Sequence, residues 1–519
     1  MAVRQKVVRL SSCFVDGIIA TMSEIEISLT PGIPTFDIIG LCDSSIRESR
    51  GRISAAIRSC GILMPKGHIT VNITPAYMHK SGSGFDLPIA IGILFIAGCI
   101  PYSEDIKVYA QGELSLNGEI KGTPGAILKL TEAVKDQADV VFIPEQESYA
   151  AACTGISCMP VKRLMDIINI MGDYDYCGSV IPMDRTTVKT DFSFEHGLAD
   201  LKGQPKASEA LVIACSGMHS ILMLGSPGCG KSFVSDIISS LLPPPDNAEY
   251  RHQLALLELT GGAEDKTQEV SRPLRHIYPG VTLSKLYGKK GSMIPGELAL
   301  ADGGVLFADE ICDFGPGIID ELKVPLEQHV VRVVKDGKTV TVPASFLFVA
   351  VGNPCRCGNF YEGFSKCRCT PAARKKYLAR LSGGFIDRID LFTEMRSITD
   401  SDMKMITGGR TEADAAIEAD AKRRIGLGWN MQSARFNWEE GIPKVFNGTC
   451  QTVNADLFRF TDDTAQFACE AAGRSGMSGR GYLKLIRVAR TIADMEGSEV
   501  MTETHVRKAL IYRVNEDVI

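Results

Sequence analysis

One octapeptide constrains this chain more than any other stretch: Gly225-Ser226-Pro227-Gly228-Cys229-Gly230-Lys231-Ser232. It fits the spacing G-x-x-x-x-G-K-[ST] of a phosphate-binding loop. Ser220-Ile221-Leu222-Met223-Leu224 ahead of it reads as a buried strand. Behind it, Phe233 to Leu242 carries apolar residues at helical spacing and stops at Pro243-Pro244-Pro245. Between a strand and a helix, such glycines let backbone N–H groups close around phosphate oxygens, and the helix N-terminus adds partial positive charge. Lys231 is then placed to reach the β- and γ-phosphates of ATP, and the Ser232 hydroxyl to take a Mg²⁺ position. The alternative, a glycine-rich turn with a chance Lys-Ser, does not account for both flanks.

A chain of 519 residues is long enough for about three domains. With 45% apolar and 23% charged residues, the composition is that of an ordinary soluble globular protein. A net charge of −6 does not announce a nucleic-acid binder, although local basic patches remain compatible with it. Sixteen cysteines without a secretory start point to a reducing cytoplasm, with free or metal-bound thiols. The longest apolar run, Leu87 to Ile100, is too short to span a bilayer and reads as a buried helix, so no membrane role is expected.

Residues 1–175 read as an α+β domain without a phosphate loop. Ile25 to Leu29 and Ile69 to Ile73 alternate as half-buried strands do. Asn117-Gly118 between alternating runs marks a hairpin. Helical patterns cover Asp43 to Cys60, Phe85 to Ala97, Gly125 to Gln137 and Arg163 to Met171. Gly112-Glu113-Leu114 through Leu128-Lys129 resembles the region that carries the lysine of Lon-type Ser-Lys proteases. Matched to that pattern, the catalytic lysine falls on Ile127, with Lys129 two residues on. A shared fold without the dyad is therefore expected. Ser81 and Ser83 are the hydroxyls whose loss would abolish any proteolysis. A linker is read over 176–190.

In residues 191–394, Gly303-Gly304-Val305-Leu306-Phe307-Ala308-Asp309-Glu310 is an apolar strand ending in two acids. Behind a phosphate loop, Asp309 suits the Mg²⁺ shell and Glu310 suits a general base for the attacking water. Ser345 to Val351 is a further strand, ending at Gly352-Asn353-Pro354. Asn353 is placed either to position that water or simply to form the turn. Arg388 sits between Asp387 and Asp390, either as a satisfied ion pair or as an arginine aimed at a neighbour's γ-phosphate.

Taken together, the chain resembles the YifB/ComM family of magnesium-chelatase-like AAA+ ATPases over nearly its whole length. The carrying residues are 225–232, Pro295-Gly296-Glu297-Leu298, Asp309-Glu310, and 381–390. The first third adds 40–50 and Phe85-Asp86-Leu87-Pro88-Ile89-Ala90, and the last third adds Gly479-Arg480-Gly481-Tyr482 and 488–494. Two positions depart from the pattern: Arg272-Pro273-Leu274-Arg275 is followed by a single His276 where the family usually has a His-His pair, and Ala308 stands where leucine is common. The resemblance implies an α/β fold class: an AAA+ P-loop core with a parallel sheet over 191–394, an N-terminal α+β domain of ribosomal-S5/Lon-like fold, and a C-terminal helical lid over 395–519. It also implies a homo-hexameric ATP-driven motor on branched or single-stranded DNA, promoting branch migration in natural transformation and recombination. A protein-remodelling or metal-insertion chaperone ATPase is the second reading, and a Lon-like protease the third.

Cys355-Arg356-Cys357 and Cys367-Arg368-Cys369, nine residues apart, suit a structural zinc with four thiolates inserted at 355–369, with free or redox-active thiols as the alternative. Four helices are expected in the last third, at Ala413 to Arg424, Ala455 to Ala472, Gly479 to Met495 and Thr502 to Arg513. Ser478 caps the third, and the resemblance assigns Arg480 to the γ-phosphate of its own subunit. Two basic stretches are candidates for tracking a phosphate backbone: Gly288-Lys289-Lys290-Gly291-Ser292-Met293, and Arg374-Lys375-Lys376 with Tyr377 and Arg380.

Overall fold

A computed structural model describes residues 6–40, 43–76, 80, 82–172, 196–261, 271–288, 294–335, 338–362, 366–381, 383–407 and 410–513. The linker read over 176–190, Ser81, and the Lys289-Lys290 stretch lie outside the described residues. The chain is a mixed α/β protein of two compact units: Met1–Val188 with Leu254–Gln268 and Ser292–Ile294, and Lys189–Gln253 with Glu269–Gly291 and Pro295–Ile519. The first unit therefore draws in two segments from beyond its contiguous stretch.

The first unit is a seven-stranded mixed sheet. Its long central hairpin pairs Lys6–Asp16 with Ile19–Thr30, antiparallel. His68–Ile73 and then Thr35–Ile39 extend one side. Val108–Ala110, Val140–Pro144 and Met159–Val161 extend the other, all parallel. Helix Asp86–Ile96 has every residue buried, as an apolar run without a polar face requires. The Asp86 carboxylate is buried with it, and Arg52 Nε (2.6 Å) and Ser49 satisfy it. Helix Ser44–Ser59 opens on an Asp43 side-chain cap to Ile46 N (2.9 Å). The Asn117-Gly118 turn joins Glu113–Leu114 to Ile120–Lys121 as the spacing predicts.

The second unit is built on a five-stranded, wholly parallel sheet in the order Leu274–Ile277, Val305–Ala308, Leu347–Gly352, Ile221–Gly225, Leu391–Met395. Ile221–Gly225, Val305–Ala308 and Leu347–Gly352 are buried end to end, the pattern of strands covered on both faces. The helices of the last third share one apolar cluster with this sheet and with helix Pro205–Gly217. Helix Glu412–Phe436 runs well past Arg424, its expected end. The reason is packing: Trp429 Nε1 donates to Cys215 O (3.1 Å), Gln432 Nε2 to Ser216 O (2.8 Å), and a Cβ at Gly428 would strike Ser216 Oγ. The segment 455–472, expected as one helix, is broken: Ala455–Phe458 ends at Arg459 with φ 47°, and Asp462–Arg474 restarts on a Thr461 cap.

Candidate active site

The phosphate loop leaves the C-terminal end of strand Ile221–Gly225 and passes through left-handed Gly228 (φ 76°) and Gly230 (φ 97°). A side chain is disfavoured at both. The chain then makes a 3₁₀ turn over Lys231–Phe233 before helix Val234–Leu241. Because Leu224 pairs with Gly352 and Ala308 with Ala350, the three strand ends deliver residues 225–232, Asn353 and Asp309-Glu310 to one edge. Lys231 Nζ donates to Gly225 O (2.6 Å), Ser226 O (3.1 Å) and Asn353 Oδ1 (2.9 Å). Partial burial lowers its pKa, and the fields of Cys229, Asp309 and Glu310 act against that shift. Glu310 takes a left-handed φ of 51°, unusual for a side chain of its size, and is exposed, while its N–H donates to Asp309 Oδ1 (2.9 Å). The loop thus brings together the lysine, the serine, the two acids and the asparagine singled out in the sequence. Ser232 and Asp309 have the oxygen chemistry that suits Mg²⁺.

Beside the loop lies a cavity of about 270 Å³ lined by His196, Leu201, Gly230, Phe233, Ile398 and Arg410. His196 and Phe233 meet edge to face, their ring centroids 4.6 Å apart at an interplanar angle of 63°, and put aromatic surface on the cavity wall. Apart from Gly230 of the phosphate loop, sequence patterns do not find these residues, since distant segments supply them and they belong to no motif.

The cysteines converge as the spacing suggests. The Sγ atoms of Cys355, Cys357, Cys367 and Cys369 all lie within 4.8 Å of one another, with Cys355–Cys357 at 3.4 Å, Cys357–Cys367 at 3.7 Å and Cys355–Cys367 at 3.8 Å. Ligands about 2.3 Å from a tetrahedral Zn²⁺ lie about 3.8 Å apart, so these thiols can hold a metal. Burial pushes the Cys355 thiol up to about 12, whereas a backbone N–H at Asn359 draws Cys357 down to about 6. The same loop touches the phosphate loop twice. Gly358 packs where any Cβ would collide with Pro227, and Glu362 Oε1 accepts from Ser226 Oγ (3.1 Å).

The two arginines go elsewhere. Arg388 pairs with neither flanking aspartate. Its guanidinium donates to Glu327 Oε2 (2.5 Å), Lys323 O (3.0 Å) and Gly384 O (2.5 Å). Arg480 reaches the other oxygen of the same carboxylate, Glu327 Oε1, at 3.0 Å. Asp390 instead accepts from Ser220 N (3.0 Å) and Lys484 Nζ (2.5 Å), and Lys484 Nζ also donates to Arg388 O (2.9 Å). Burial alone would raise the Asp390 carboxyl, but Lys484 and His219 hold it well below the ordinary range. Ser220 precedes the strand whose far end is Gly225, so Arg388 and Lys484 stand about 16 Å along the strand from the phosphate loop. Arg480 starts the helix of Lys484 one turn earlier. Arg480, expected at its own subunit's γ-phosphate, thus lies with Arg388 on Glu327, toward the end of the sheet away from the phosphate loop.

The lysine match in the first unit also shifts. Ile127 is buried in the core, its N–H donating to Glu258 Oε2 (3.1 Å). It is Lys129 that turns into a cavity, while the Ser83 hydroxyl is engaged by Glu113.

Family models agree with this layout. "Magnesium chelatase, subunit ChlI" matches residues 197–403, "Subunit ChlI of Mg-chelatase" matches 25–147, and "Magnesium chelatase, subunit ChlI C-terminal" matches 418–513. The YifB protein of Escherichia coli (strain K12) is 30% identical over 498 residues, covering 96% of this chain and 95% of that one. Competence protein ComM of Haemophilus influenzae is 29% identical over 502 residues, again 96% and 95%. The magnesium-chelatase 38 kDa subunit of Cereibacter sphaeroides is 27% identical over 346 residues, 61% of this chain and 91% of its own.

Proposed function

Because the chain belongs to the YifB/ComM family of magnesium-chelatase-like AAA+ proteins, we propose that it is an ATP-hydrolysing hexameric motor acting on branched or single-stranded DNA in the cytoplasm. The observation that carries the reading is a separation of two residue groups along the parallel sheet. Lys231, Asn353, Asp309 and Glu310 share the C-terminal edge of the parallel sheet, and Arg388 and Arg480 share a carboxylate at the other end. Neither group is complete alone. In a ring, one protomer's arginines meet the nucleotide held by the next.

In this reading the Lys231 ammonium leaves its carbonyl and asparagine partners to bind the β- and γ-phosphates. The Asn353 amide orients the water, and the Glu310 carboxylate takes its proton. Ser232 and Asp309 would hold Mg²⁺, which would supply positive charge to offset that of the phosphates. His196, Leu201 and Phe233 hold the base. Release of Glu327 frees Arg388 and Arg480 to meet the neighbour's γ-phosphate. The four thiols would hold a structural zinc, which would fix the loop that packs on Pro227 and Ser226. The N-terminal unit is read as the S5/Lon-like domain and the C-terminal helices as the lid. For DNA, the supporting features are the name of the Haemophilus relative, a competence protein, and the exposed Lys375 and Lys376 on helix Pro371–Leu378. Likeness to a magnesium-chelatase subunit favours the second reading, a remodelling or metal-insertion ATPase.

ATP hydrolysis measured with and without a four-way DNA junction separates them. The motor reading expects stimulation that falls steeply with salt. Stimulation by a protein client with no response to DNA favours the second reading, and no hydrolysis under any condition removes both.

A further inference from the structure

The first unit holds a cavity of about 370 Å³ with walls that include Phe14, Val15, Gly84, Phe85, Thr123 and Lys129. Among the described residues its one cationic wall group is Lys129, on helix Ala126–Asp136, a residue 4% exposed. Nζ donates to Thr123 Oγ1 (2.6 Å). The nearby Glu147 carboxylate is occupied by Thr123 N (2.6 Å) and by the Gln111 side chain. Among the described residues Lys129 enters no salt bridge. A lysine desolvated in this way sheds its proton more readily than one in water, and burial does lower its pKa. An amine of that kind is equipped as a general base. The Thr123 hydroxyl receives the lysine's hydrogen bond and so fixes its direction.

What faces the amine is a backbone position without a side chain. A Cβ built on Gly84 stands 3.7 Å from Lys129 Nζ and 3.5 Å from Thr123 Oγ1, both ordinary contacts, and Gly84 is outside the left-handed region. Nothing in space or backbone angle demands glycine there. A hydroxyl on that Cβ reaches about 3 Å from Nζ, the separation of a nucleophile and its base. Ser83, the adjacent hydroxyl, is bonded to Glu113 instead.

We propose that Gly84, Thr123 and Lys129 form a lysine-base acyl site whose nucleophile position is empty, so that the cavity takes apolar acyl compounds and does not cleave them. Thr123 is a positioning residue and Lys129 the base. The walls of Phe14, Val15 and Phe85 select the apolar substituent.

The test restores the missing atom in the full chain. Wild type, Gly84→Ala, Gly84→Ser and Gly84→Ser with Lys129→Met are treated with an alkyl fluorophosphonate, and adducts are located by peptide mass mapping. In Gly84→Ser the introduced hydroxyl attacks phosphorus. An O–P bond forms, the P–F bond breaks, fluoride leaves, and the hydroxyl proton passes to Lys129 Nζ. The expected result is an adduct at residue 84 in Gly84→Ser alone, formed at least about 100-fold faster than in the variant that also lacks Lys129. Octanamide, an apolar acyl competitor, slows it. Thermal melting verifies that each variant folds. If Lys129→Met does not fold, Thr123→Val takes its place, and adduct formation is expected to slow there also. A folded Gly84→Ser chain that stays unlabelled, an adduct at Thr123 or Ser83 instead, or labelling indifferent to Lys129 overturns the proposal. Labelling that octanamide does not slow overturns the assigned ligand class.

Discussion

Two lysines, Lys231 and Lys129, are each desolvated in their own unit, and their surroundings make them different instruments. Lys231 stands at a glycine loop with Asp309 and Glu310 close enough to bias it toward charge, and its three hydrogen bonds go to acceptors that a phosphate can displace. Lys129 has, among the described residues, the Thr123 hydroxyl as its hydrogen-bond partner, with a cavity in front of it and more complete burial. The contrast teaches that burial alone does not define a lysine's role. What decides is whether acceptors are waiting to be exchanged, as at a phosphate site, or a reacting atom is missing, as at Gly84.

The comparison breaks most visibly at Lys231. Lys231→Ala is expected to bring ATP turnover to background, measured by phosphate release. Retained turnover removes the distinction. Arg388→Ala, at the other half of the proposed site, is expected to lose about 10³-fold in rate while binding ATP. Glu310→Gln is expected to bind ATP and lose about 10²-fold or more in hydrolysis. Cys357→Ser is expected to lose bound zinc by elemental analysis and to weaken ATP binding severalfold, since Glu362 and Gly358 then brace the phosphate loop less firmly. Lys129→Met closes the series with the smallest effect: ATP turnover within about twofold of wild type, because Lys129 belongs to the other unit.

Lys129→Met also sharpens the contrast through pH. Its folded pKa is lowered, so between that value and the ordinary lysine range the unfolded chain binds more protons than the folded one. The charge penalty is therefore full at low pH and fades as pH rises toward the ordinary lysine range. Thermal melting is expected to show Lys129→Met gaining more over wild type near neutral pH than in alkaline buffer. A gain independent of pH contradicts this.

Local signals carried much of this architecture. The phosphate loop, Asp309-Glu310 and Asn353 are each tied to a strand end, and strand ends are readable as apolar runs that stop. The convergence of the four thiols followed from short spacings that leave little freedom. The pairing of Arg388 and Arg480 on Glu327 was not readable, because it depends on three elements meeting at one end of the sheet. The cavity around His196 and Phe233 escaped for the same reason. The helix expected to end at Arg424 runs on because Gly428 packs closely on Ser216, and the place of Gly84 against a buried amine depends on segments distant in sequence.

The central claim is that the nucleotide is split only where one protomer supplies Lys231 and Glu310 and the next supplies Arg388. Lys231→Ala and Arg388→Ala chains, each inactive alone, should be mixed and their ATP hydrolysis followed while mass measurement verifies mixed rings. The account expects activity to appear in the mixture, since some interfaces then pair an intact phosphate loop with an intact arginine. Mixed rings that stay as inactive as either parent would contradict it.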